Sequence, residues 1–497
     1  MRLKYFKIIM LFSGIIAVSS CKKMLDINKN PDAIPDSNSP IAQLLTSAQV
    51  NLGFEGGSDL FRYATLIMQH MSGGASDPNQ SNAYYRYNIT GSDLNNVWSS
   101  INATTLSDLE LILKGASGTS PYYTGIAKIL KAYEYSLVVD VWGKVPYTQA
   151  QQLSENTQPV YDDDATIYPK LIALLTEAVT DLNASSSVLT PGTNSVMYTG
   201  TYSTIKTNWI KLANTLRLRL LLHYSKKDPA FCVAQITALV NTSGISFMAS
   251  NADGFQMAFY DVANQRNPIS QFEVSRPNYV FADAKMVDMM SAKNDPRRPF
   301  YFTDFPLGSG LYVGVSATAP PAAPNNNYSR INTFLRGSIT TAAAGTNSAV
   351  YSGAAPQRML PFAEYNFIRA EAALMGAPGS AQQFFTDGIT ASMKEAGVSD
   401  ANITTYLTAN GTLAGTNAQK LQQIIEEKYI ALFGVSVEPW TDWRRTGYPA
   451  LSVPTNAINT VSAVPRTLFY PQSEIDLNPN CPGQKGADLQ ARVFWDN

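Results

Sequence analysis

Apolar residues recur every three or four positions along most of this chain. Between 121 and 141, for example, Ile126, Leu130 and Leu137 fall on one side of a helix, which is the pattern of an amphipathic helix that buries one face. Comparable patterns occupy 41–54, 58–71, 93–114, 165–182, 205–224, 361–375, 380–396 and 418–433. Because these segments follow one another in pairs, the pattern predicts a mainly α protein built from helix pairs.

Long stretches between the helix pairs lack this period. The segments 184–202, 243–279 and 299–357 are rich in Gly, Pro, Ser, Thr and Asn. Alternating apolar and polar residues at 255–260 predict a short strand. Loops of such length in a compact domain usually have a function. We therefore expect ligand-facing insertions over about 243–357 and a structural role for the helix pairs.

A short motif at 363–370 indicates how the helices pack. Ala363 and Phe367 have the Ala-x₃-Phe spacing of tetratricopeptide second helices, where the small residue lets a neighbouring helix approach and the ring fills the gap. The rest of the tetratricopeptide consensus is absent. The predicted fold class is mainly α, an α-solenoid core of tetratricopeptide-like helix pairs with long irregular loops and a few short strands.

The N-terminus has the pattern of an export signal. Basic residues precede an apolar run at 8–18, which is shorter than the ~20 residues of a membrane span. Two serines then precede Cys21, an order typical of lipoproteins, in which the processed cysteine is acylated. We predict a signal peptide over 1–20, lipidation of Cys21, an extended tether over 21–40 and a single domain over 41–497. An ordinary signal peptide with an incidental cysteine is the alternative.

The composition indicates the kind of ligand. The 37 Lys and Arg residues nearly cancel the 38 Asp and Glu residues, so no global field attracts nucleic acid. Charged residues make up only 15% of the chain, and 26 tyrosines accompany many Asn, Gln, Ser and Thr residues. Rings stack on sugar faces and amides bond hydroxyl groups. The composition therefore suits neutral polar ligands such as glycans, although it is also common among secreted proteins.

Sequence motifs for catalysis and metal binding are absent. His70 and His223 are the only histidines, which leaves few parts for a zinc cage or a serine-histidine pair. The acidic run 162–164 precedes a predicted helix and is interpreted as its cap, with calcium ligation as the alternative. We predict no catalytic residue, no metal and no cofactor. A glycan-degrading hydrolase is the alternative function, because a catalytic pair is defined by the distance between two carboxylates in space. The sequence does not give that distance for candidates such as Glu438 and Asp442.

Two cysteines follow Cys21 in the chain. Cys232 lies in an apolar pattern, which favours a buried free thiol. One disulfide between Cys232 and Cys481 is the alternative. Either way, the chain does not have the cysteine density of a disulfide scaffold.

Long motifs in a consistent order then identify a family. Those of the C-terminal third are IEEKYIALFG at 425–434, EPWTDWRRTGYP at 438–449 and YPQSEIDLN at 470–478. Earlier ones are DINKNP at 26–31, DVWGKVPY at 140–147, and the segments 209–220 and 362–374. In these motifs the chain resembles the SusD/RagB family of nutrient-binding outer-membrane lipoproteins over nearly its whole length.

The resemblance implies both a fold and a role. The implied fold is a SusD-like scaffold of tetratricopeptide-like helix pairs that supports an irregular ligand-facing region. The implied role is that of a surface lipoprotein that captures a glycan or peptide nutrient and acts as the lid of a SusC-like TonB-dependent transporter. Some relatives have an acidic run after the lipidated cysteine, whereas Lys22 and Lys23 follow Cys21 here. Display on the outer face therefore rests on the resemblance alone.

Ligand contacts are expected in the loop that follows the second predicted helix. This region combines glycines, amides and clustered rings. The predicted contacts are Asp77, Asn79 and Gln80 for orientation, and Tyr84, Tyr85 and Trp98 for stacking. Tyr301 and Tyr328 of the 299–357 segment form a second group. Packing of Tyr85 on one face of a strand is the structural alternative, and a helical-repeat scaffold without a small ligand is the corresponding alternative function.

One conspicuous cluster is interpreted as structural. Trp440, Trp443, Arg444 and Arg445 lie within a single short segment. Aromatic residues at helical spacing usually bury their faces. We therefore expect a packed corner of rings and ion pairs there and no ligand contact.

Overall fold

Helices account for most of the ordered elements in this computed structural model, which describes residues 40–74, 79–152, 155–321 and 326–497. The helices are α1 (Ile41–Glu55), α2 (Asp59–Ile67), α3 (Gln80–Tyr85), α4 (Asn95–Ser99), α5 (Ser107–Ala116), α6 (Pro121–Trp142), α7 (Asp164–Leu182), α8 (Tyr202–Leu222), α9 (Pro229–Val240), α10 (Pro268–Ser275), α11 (Ala284–Ala292), α12 (Arg298–Tyr301), α13 (Thr333–Arg336), α14 (Phe362–Leu374), α15 (Ala381–Ala396), α16 (Asp400–Asn410), α17 (Asn417–Ala431), α18 (Glu438–Thr446) and α19 (Gln472–Leu477). A π-helical stretch, Ser100–Leu106, joins α4 to α5. The predicted helix segments are confirmed, mostly to within a few residues.

Short strands pair two by two. They are β1 (Met71–Ser72), β2 (Val145–Pro146), β3 (Tyr161–Asp162), β4 (Phe255–Met257), β5 (Phe281–Ala282), β6 (Ile339–Ala342), β7 (Ala349–Tyr351) and β8 (Gln357–Leu360). The antiparallel pairs are β1 with β5, β2 with β3, β4 with β8, and β6 with β7. The strand predicted at 255–260 is thus confirmed in its first half, as β4.

Capping side chains set several helix starts. Asp163 accepts a hydrogen bond from the backbone N–H of Ala165 at 3.1 Å and begins α7. The capping interpretation of the acidic run is therefore confirmed at this residue, because the carboxylate satisfies an orphan amide of the first turn. At the other end of a helix, Gly397 adopts the left-handed conformation that closes α15.

Helices pack side by side, as the prediction of helix pairs requires. Helix α6 packs along α7, α7 along α8, and α14 along both α15 and α17. Phe367 of α14 lies so close to α15 that a Cβ on Gly388 would lie 2.9 Å from its ring. The small residue that admits Phe367 is therefore on the neighbouring helix. The four tryptophans Trp142, Trp209, Trp440 and Trp495 are fully buried in the main core.

A network of buried charges joins the later helices. Arg219 of α8 pairs with Glu364 of α14 at 2.6 Å. Lys428 of α17 pairs with Glu438 at 3.1 Å and with Asp442 at 2.7 Å, both on α18. These five side chains are almost completely shielded from solvent. Glu438 and Asp442, which the hydrolase alternative would use as catalytic carboxylates, thus belong to ion pairs between helices.

The tryptophan and arginine cluster at 440–445 is also structural, as expected. The guanidinium of Arg444 lies 4.3 Å from the Trp440 ring and 4.7 Å from the Trp495 ring. Arg445 pairs with Glu371 of α14 at 2.6 Å. All of these side chains are buried, so they form the packed corner that the sequence predicted. Trp443 is the exception, because it is partly exposed and contacts the Arg466 guanidinium at 5.0 Å.

The region after α9 is irregular, as the composition predicted. Within it β4 pairs with β8, which returns the chain to the start of α14.

Cys232 and Cys481 are both free thiols, which excludes the disulfide between them. In the described part of the chain, no helix combines the length and hydropathy that crossing a membrane requires. Cys21 and the predicted signal peptide lie outside the described residues, as does Asp77.

Candidate functional site

Four separate segments come together on one surface of the irregular region. The pairing of β1 with β5 places Ser72 opposite Phe281. Beyond β5, the backbone N–H of Ala282 donates to the carbonyl of Ser329 at 2.9 Å, and that of Val315 donates to the carbonyl of Ala282 at 2.9 Å. A side-chain hydrogen bond of 2.7 Å from Asn347 to the carbonyl of Asn326 adds the hairpin of β6 and β7. We call the segments 276–282, 311–315, 326–330 and 339–351 the loop face.

The ring of Phe281 is the centre of the loop face. The Tyr328 ring packs edge-on against it with centroids 5.7 Å apart, and the Arg330 guanidinium lies 4.9 Å from its centroid. Gly74, which has a positive φ of 64°, approaches the same ring so closely that a Cβ would lie 2.6 Å from it. A side chain at Gly74 would therefore displace Phe281. Gly74 thus allows this loop to pack closely against β5.

The outer layer of the loop face combines rings, amides and two cations, the exposed Arg276 and the partly buried Arg330. Tyr279 and Tyr328 are partly exposed, and Asn326 and Asn327 are exposed. Arg330 hydrogen-bonds the side-chain oxygen of Asn278. Such a surface can stack on an apolar ligand face and donate hydrogen bonds to hydroxyl or carbonyl oxygens.

A buried carboxyl group lies directly after the loop-face segment 276–282. Asp283 accepts hydrogen bonds from the Tyr85 hydroxyl at 2.9 Å and from the backbone N–H of Lys285 at 2.7 Å. Burial raises the pKa of Asp283 to about 8, because the ionised form loses its hydration. Asp283 thus caps α11 and anchors Tyr85, and its side chain is shielded from any ligand.

Tyr84 and Tyr85 do not have the predicted stacking geometry. Only 2% of Tyr84 and 1% of Tyr85 is exposed. The Tyr84 ring packs against Tyr63 at 4.7 Å, and its hydroxyl donates to Asp93 at 3.1 Å. The physical reason is local. Residues 80–85 form the helix α3 instead of a loop or a strand, and the buried side of that helix carries both rings.

Two further predicted contacts are also internal. Tyr301 is completely buried and stacks on Phe433 with centroids 4.7 Å apart. Asn79 caps α3 and donates to the carbonyl of Gly73 at 2.7 Å. Neither side chain presents a free surface to a ligand in this structure. Gln80, in contrast, is exposed at the start of α3.

The remaining predicted residues, Tyr328 and Trp98, lie in different places. Tyr328 belongs to the loop face. Trp98 borders a separate cleft, where its indole N–H donates to Glu474 at 3.1 Å. Phe281 and Arg330 were missed, because only strand pairing brings them beside Tyr328. The exposed amides Asn326 and Asn327, next to Tyr328 in sequence, were the signal available for this site.

The two histidines have structural environments. His70 is buried and contacts the carbonyl of Tyr429 through Nε2 at 3.0 Å, and burial lowers its pKa to about 3. His223 contacts the Tyr168 hydroxyl at 2.7 Å and Glu438 at 3.3 Å. Among the described residues, no group of three or more His, Cys, Asp or Glu side chains is arranged to hold a metal ion.

Comparison with known proteins places the chain in a family. Residues 32–471 match the model of a SusD-like family described as starch-binding and associated with the outer membrane. The chain belongs to this SusD-like family. No match occurs among curated protein sequences.

Solved structures share the fold over almost the entire chain. A chitin-binding protein is 27% identical with a TM-score of 0.76, and the alignment covers 92% of this chain and 100% of that one. A chitin-binding SusD homologue from Flavobacterium johnsoniae is 22% identical with a TM-score of 0.76, covering 92% and 98% of the two chains. A SusD-like protein from Bacteroides thetaiotaomicron is 23% identical with a TM-score of 0.74, covering 92% and 98%. The predicted mainly helical, SusD-like fold is thereby confirmed.

Proposed function

We propose that this protein captures glycans at the outer membrane and delivers them to a SusC-like TonB-dependent transporter, for which it acts as the lid. The observation that carries the proposal is the match of residues 32–471 to a family described as starch-binding and associated with the outer membrane. The proposed glycan site is the loop face. There the Tyr279 and Tyr328 rings would stack on sugar faces, while neighbouring amides and Arg330 bond hydroxyl groups.

The chemistry of the loop face favours binding over cleavage. Its four segments contain no Asp or Glu, whereas glycoside hydrolysis uses a pair of carboxyl groups that flank the bond. The adjacent Asp283 is buried and occupied by Tyr85 and Lys285. A non-enzymatic role therefore agrees with the side chains available at the proposed site.

The relative described as chitin-binding suggests which glycan to test first. It is 27% identical and is covered over its full length. We therefore propose oligosaccharides of N-acetylglucosamine as the first ligand class. Their acetamido groups both donate and accept hydrogen bonds, as the loop-face amides do. Starch fragments are the second class, because the family description names starch.

Titration calorimetry of the mature chain carrying Cys21→Ala tests the proposal. Chitohexaose or maltoheptaose is expected to bind. Tyr328→Ala is expected to weaken binding by about 2- to 12-fold, because the loss of one ring contact costs about 0.5–1.5 kcal/mol. Tyr260→Ala is the matched control, since 55% of this tyrosine is exposed outside the loop face. Absence of binding by both glycans, or equal affinities for all three proteins, would contradict the proposed site.

Prolonged incubation with the same oligosaccharides tests the rival enzymatic function. Intact oligosaccharides are expected by mass spectrometry, because the loop face carries no catalytic pair. Cleavage that disappears on replacing a single carboxylate would show that the protein is a hydrolase.

A further inference from the structure

A cleft of about 350 Å³ opens away from the loop face, where three parts of the chain meet. None of its lining residues belongs to the loop face. The aromatic and polar residues that line it are Trp98, Asn102 of the π-helical stretch, Ser107 at the start of α5, Gln151, Gln152, Asn156 and Thr157 of the loop after β2, and Glu474 of α19. Its volume is at the lower end of the range for small-molecule sites, roughly 300–1,000 Å³.

The lining of this cleft selects a class of ligand. Four carboxamides supply both donors and acceptors, Glu474 supplies an acceptor, and no Lys or Arg is among the described residues that line the cleft. An anionic ligand would meet a carboxylate with no compensating cation. The amides already hydrogen-bond within the protein, Gln151 to the side-chain oxygen of Asn102 at 3.5 Å and Asn156 to that of Gln149 at 3.4 Å. An apolar ligand would shield their remaining donors and acceptors from water, which is costly. The chemistry therefore suits a neutral ligand rich in hydroxyl or acetamido groups.

The floor of the cleft is fixed before any ligand arrives. The Trp98 ring packs edge-on against Trp142 at 5.2 Å, and its N–H donates to Glu474 at 3.1 Å. The Tyr161 hydroxyl donates to the second oxygen of Glu474 at 2.7 Å. Because 6% of Trp98 remains exposed, part of the ring borders the cleft without being free to turn.

The wall of the cleft is also held in place. The side chain of Gln158 donates to the carbonyl of Leu477 at 3.1 Å, and that of Asn478 donates to the carbonyl of Pro159 at 3.0 Å. Gln151 has a positive φ of 60°. A residue other than glycine with a positive φ is strained, and such backbone strain is concentrated at functional sites. Preorganised polar groups bind a ligand with a smaller loss of conformational entropy.

We infer that this cleft binds one or two neutral sugar units, as a second glycan contact separate from the loop face. The inference rests on the proposed function. Trp98 would form the floor under a sugar ring, Gln151 and Asn156 would bond its hydroxyl or acetamido groups, and Glu474 would hold the indole in place. Of the residues first predicted to contact ligand, Trp98 thus belongs to a different site from Tyr328.

A cleft-filling substitution provides the test. Ala103 is an exposed residue that lines the cleft, so Ala103→Trp would block it, and Gln151→Ala combined with Asn156→Ala would remove two hydrogen-bonding groups. Ala401→Trp is the matched control on α16, where the alanine is exposed and outside the cleft. The probes are chitohexaose and maltoheptaose, titrated against the mature chain with Cys21→Ala. Thermal unfolding checks that each variant is folded.

Both cleft variants are expected to lower the stoichiometry from two sites to one, or to weaken binding by about fivefold or more, while the control does neither. The indole N–H resonance of Trp98, assigned by its loss in Trp98→Phe, is expected to shift with ligand even in Tyr328→Ala. If Tyr328→Ala abolishes all binding and the cleft variants have no effect, the cleft inference is overturned and the proposed function stands. If neither glycan binds the unsubstituted chain, both are overturned.

Discussion

At the scale of single residues, Asp283 links protonation to folding. Its carboxyl group is buried beside Tyr85, and its pKa is raised to about 8 from an ordinary value near 3.8. Between these two values the folded chain binds a proton that the unfolded chain has released. The free energy of unfolding therefore falls as the pH rises through this window, by the contribution of this one group.

Asp283→Asn is expected to remove that contribution. Asn retains an oxygen for the backbone N–H of Lys285 and can donate to the Tyr85 hydroxyl. Relative to the unsubstituted chain, the variant should gain stability from pH 5 to pH 8 by up to about 4 kcal/mol, since one pKa unit corresponds to about 1.4 kcal/mol. Urea unfolding at several pH values measures the difference.

Asp228→Asn is the control for this substitution, because Asp228 caps α9 from an exposed position. It reports the general effect of replacing a capping Asp by Asn. If the stability gain of Asp283→Asn did not increase with pH relative to that control, the claim that Asp283 stays protonated in the folded chain would be contradicted.

At the scale of elements, buried ion pairs connect helices that are distant in sequence. Lys428 of α17 neutralises Glu438 and Asp442 of α18, and Asp442 also pairs with Arg445 at 2.7 Å. Buried charges are costly unless they are paired. The network therefore favours one relative arrangement of these helices over others.

Lys428→Met is expected to destabilise the fold strongly. Met has a similar length but leaves two buried carboxylates without their shared cation, which costs about 3–5 kcal/mol. Chemical denaturation should show a lower midpoint with an unchanged slope. Lys144→Met is the matched control, because Lys144 forms an exposed pair with Asp163 at 3.3 Å, where the expected loss is at most about 1 kcal/mol. Equal losses in the two variants would argue against the network's role.

At the scale of the whole molecule, two features of the proposed function lie outside the described residues. Cys21 is the proposed anchor, and residues 22–39 make up all of the proposed tether except Pro40, which is described. A residue that bears several acyl chains binds membranes much more firmly than one with a single chain. Such an anchor would thus hold the protein firmly at the membrane.

Cys21→Ala is expected to give a folded protein that leaves the membrane fraction. Fractionation of cells after expression measures this, with Cys481→Ala as a control that retains the proposed anchor. A Cys21→Ala protein found wholly with membranes would contradict lipidation at this residue.

The transporter partnership has its own test. Detergent extracts of cells that express the tagged full chain are expected to yield a large β-barrel protein together with it. The complex should persist in Tyr328→Ala, whose substitution affects a proposed sugar contact. Repeated recovery of the chain without any barrel would count against the lid role.

The sequence by itself determined the helical scaffold. Helical periodicity at 121–141 and 361–375 reflects local spacing of apolar residues, and the structure has α6 and α14 there. The same holds for the buried corner around Trp440, because its ring and ion-pair partners lie partly on one helix. Local patterns are informative where the contacts that matter are local.

Only the tertiary structure decided which polar and aromatic side chains are available to a ligand. Tyr84 and Tyr328 are the same residue type in similarly polar segments, yet α3 buries the first, and strand pairing around Phe281 leaves the second partly exposed. Trp98 was predicted to share a site with Tyr84, whereas its hydrogen bond to Glu474, 376 residues later, places it beside a separate cleft. Exposure and proximity depend on such long-range contacts, which residue spacing along the chain does not encode.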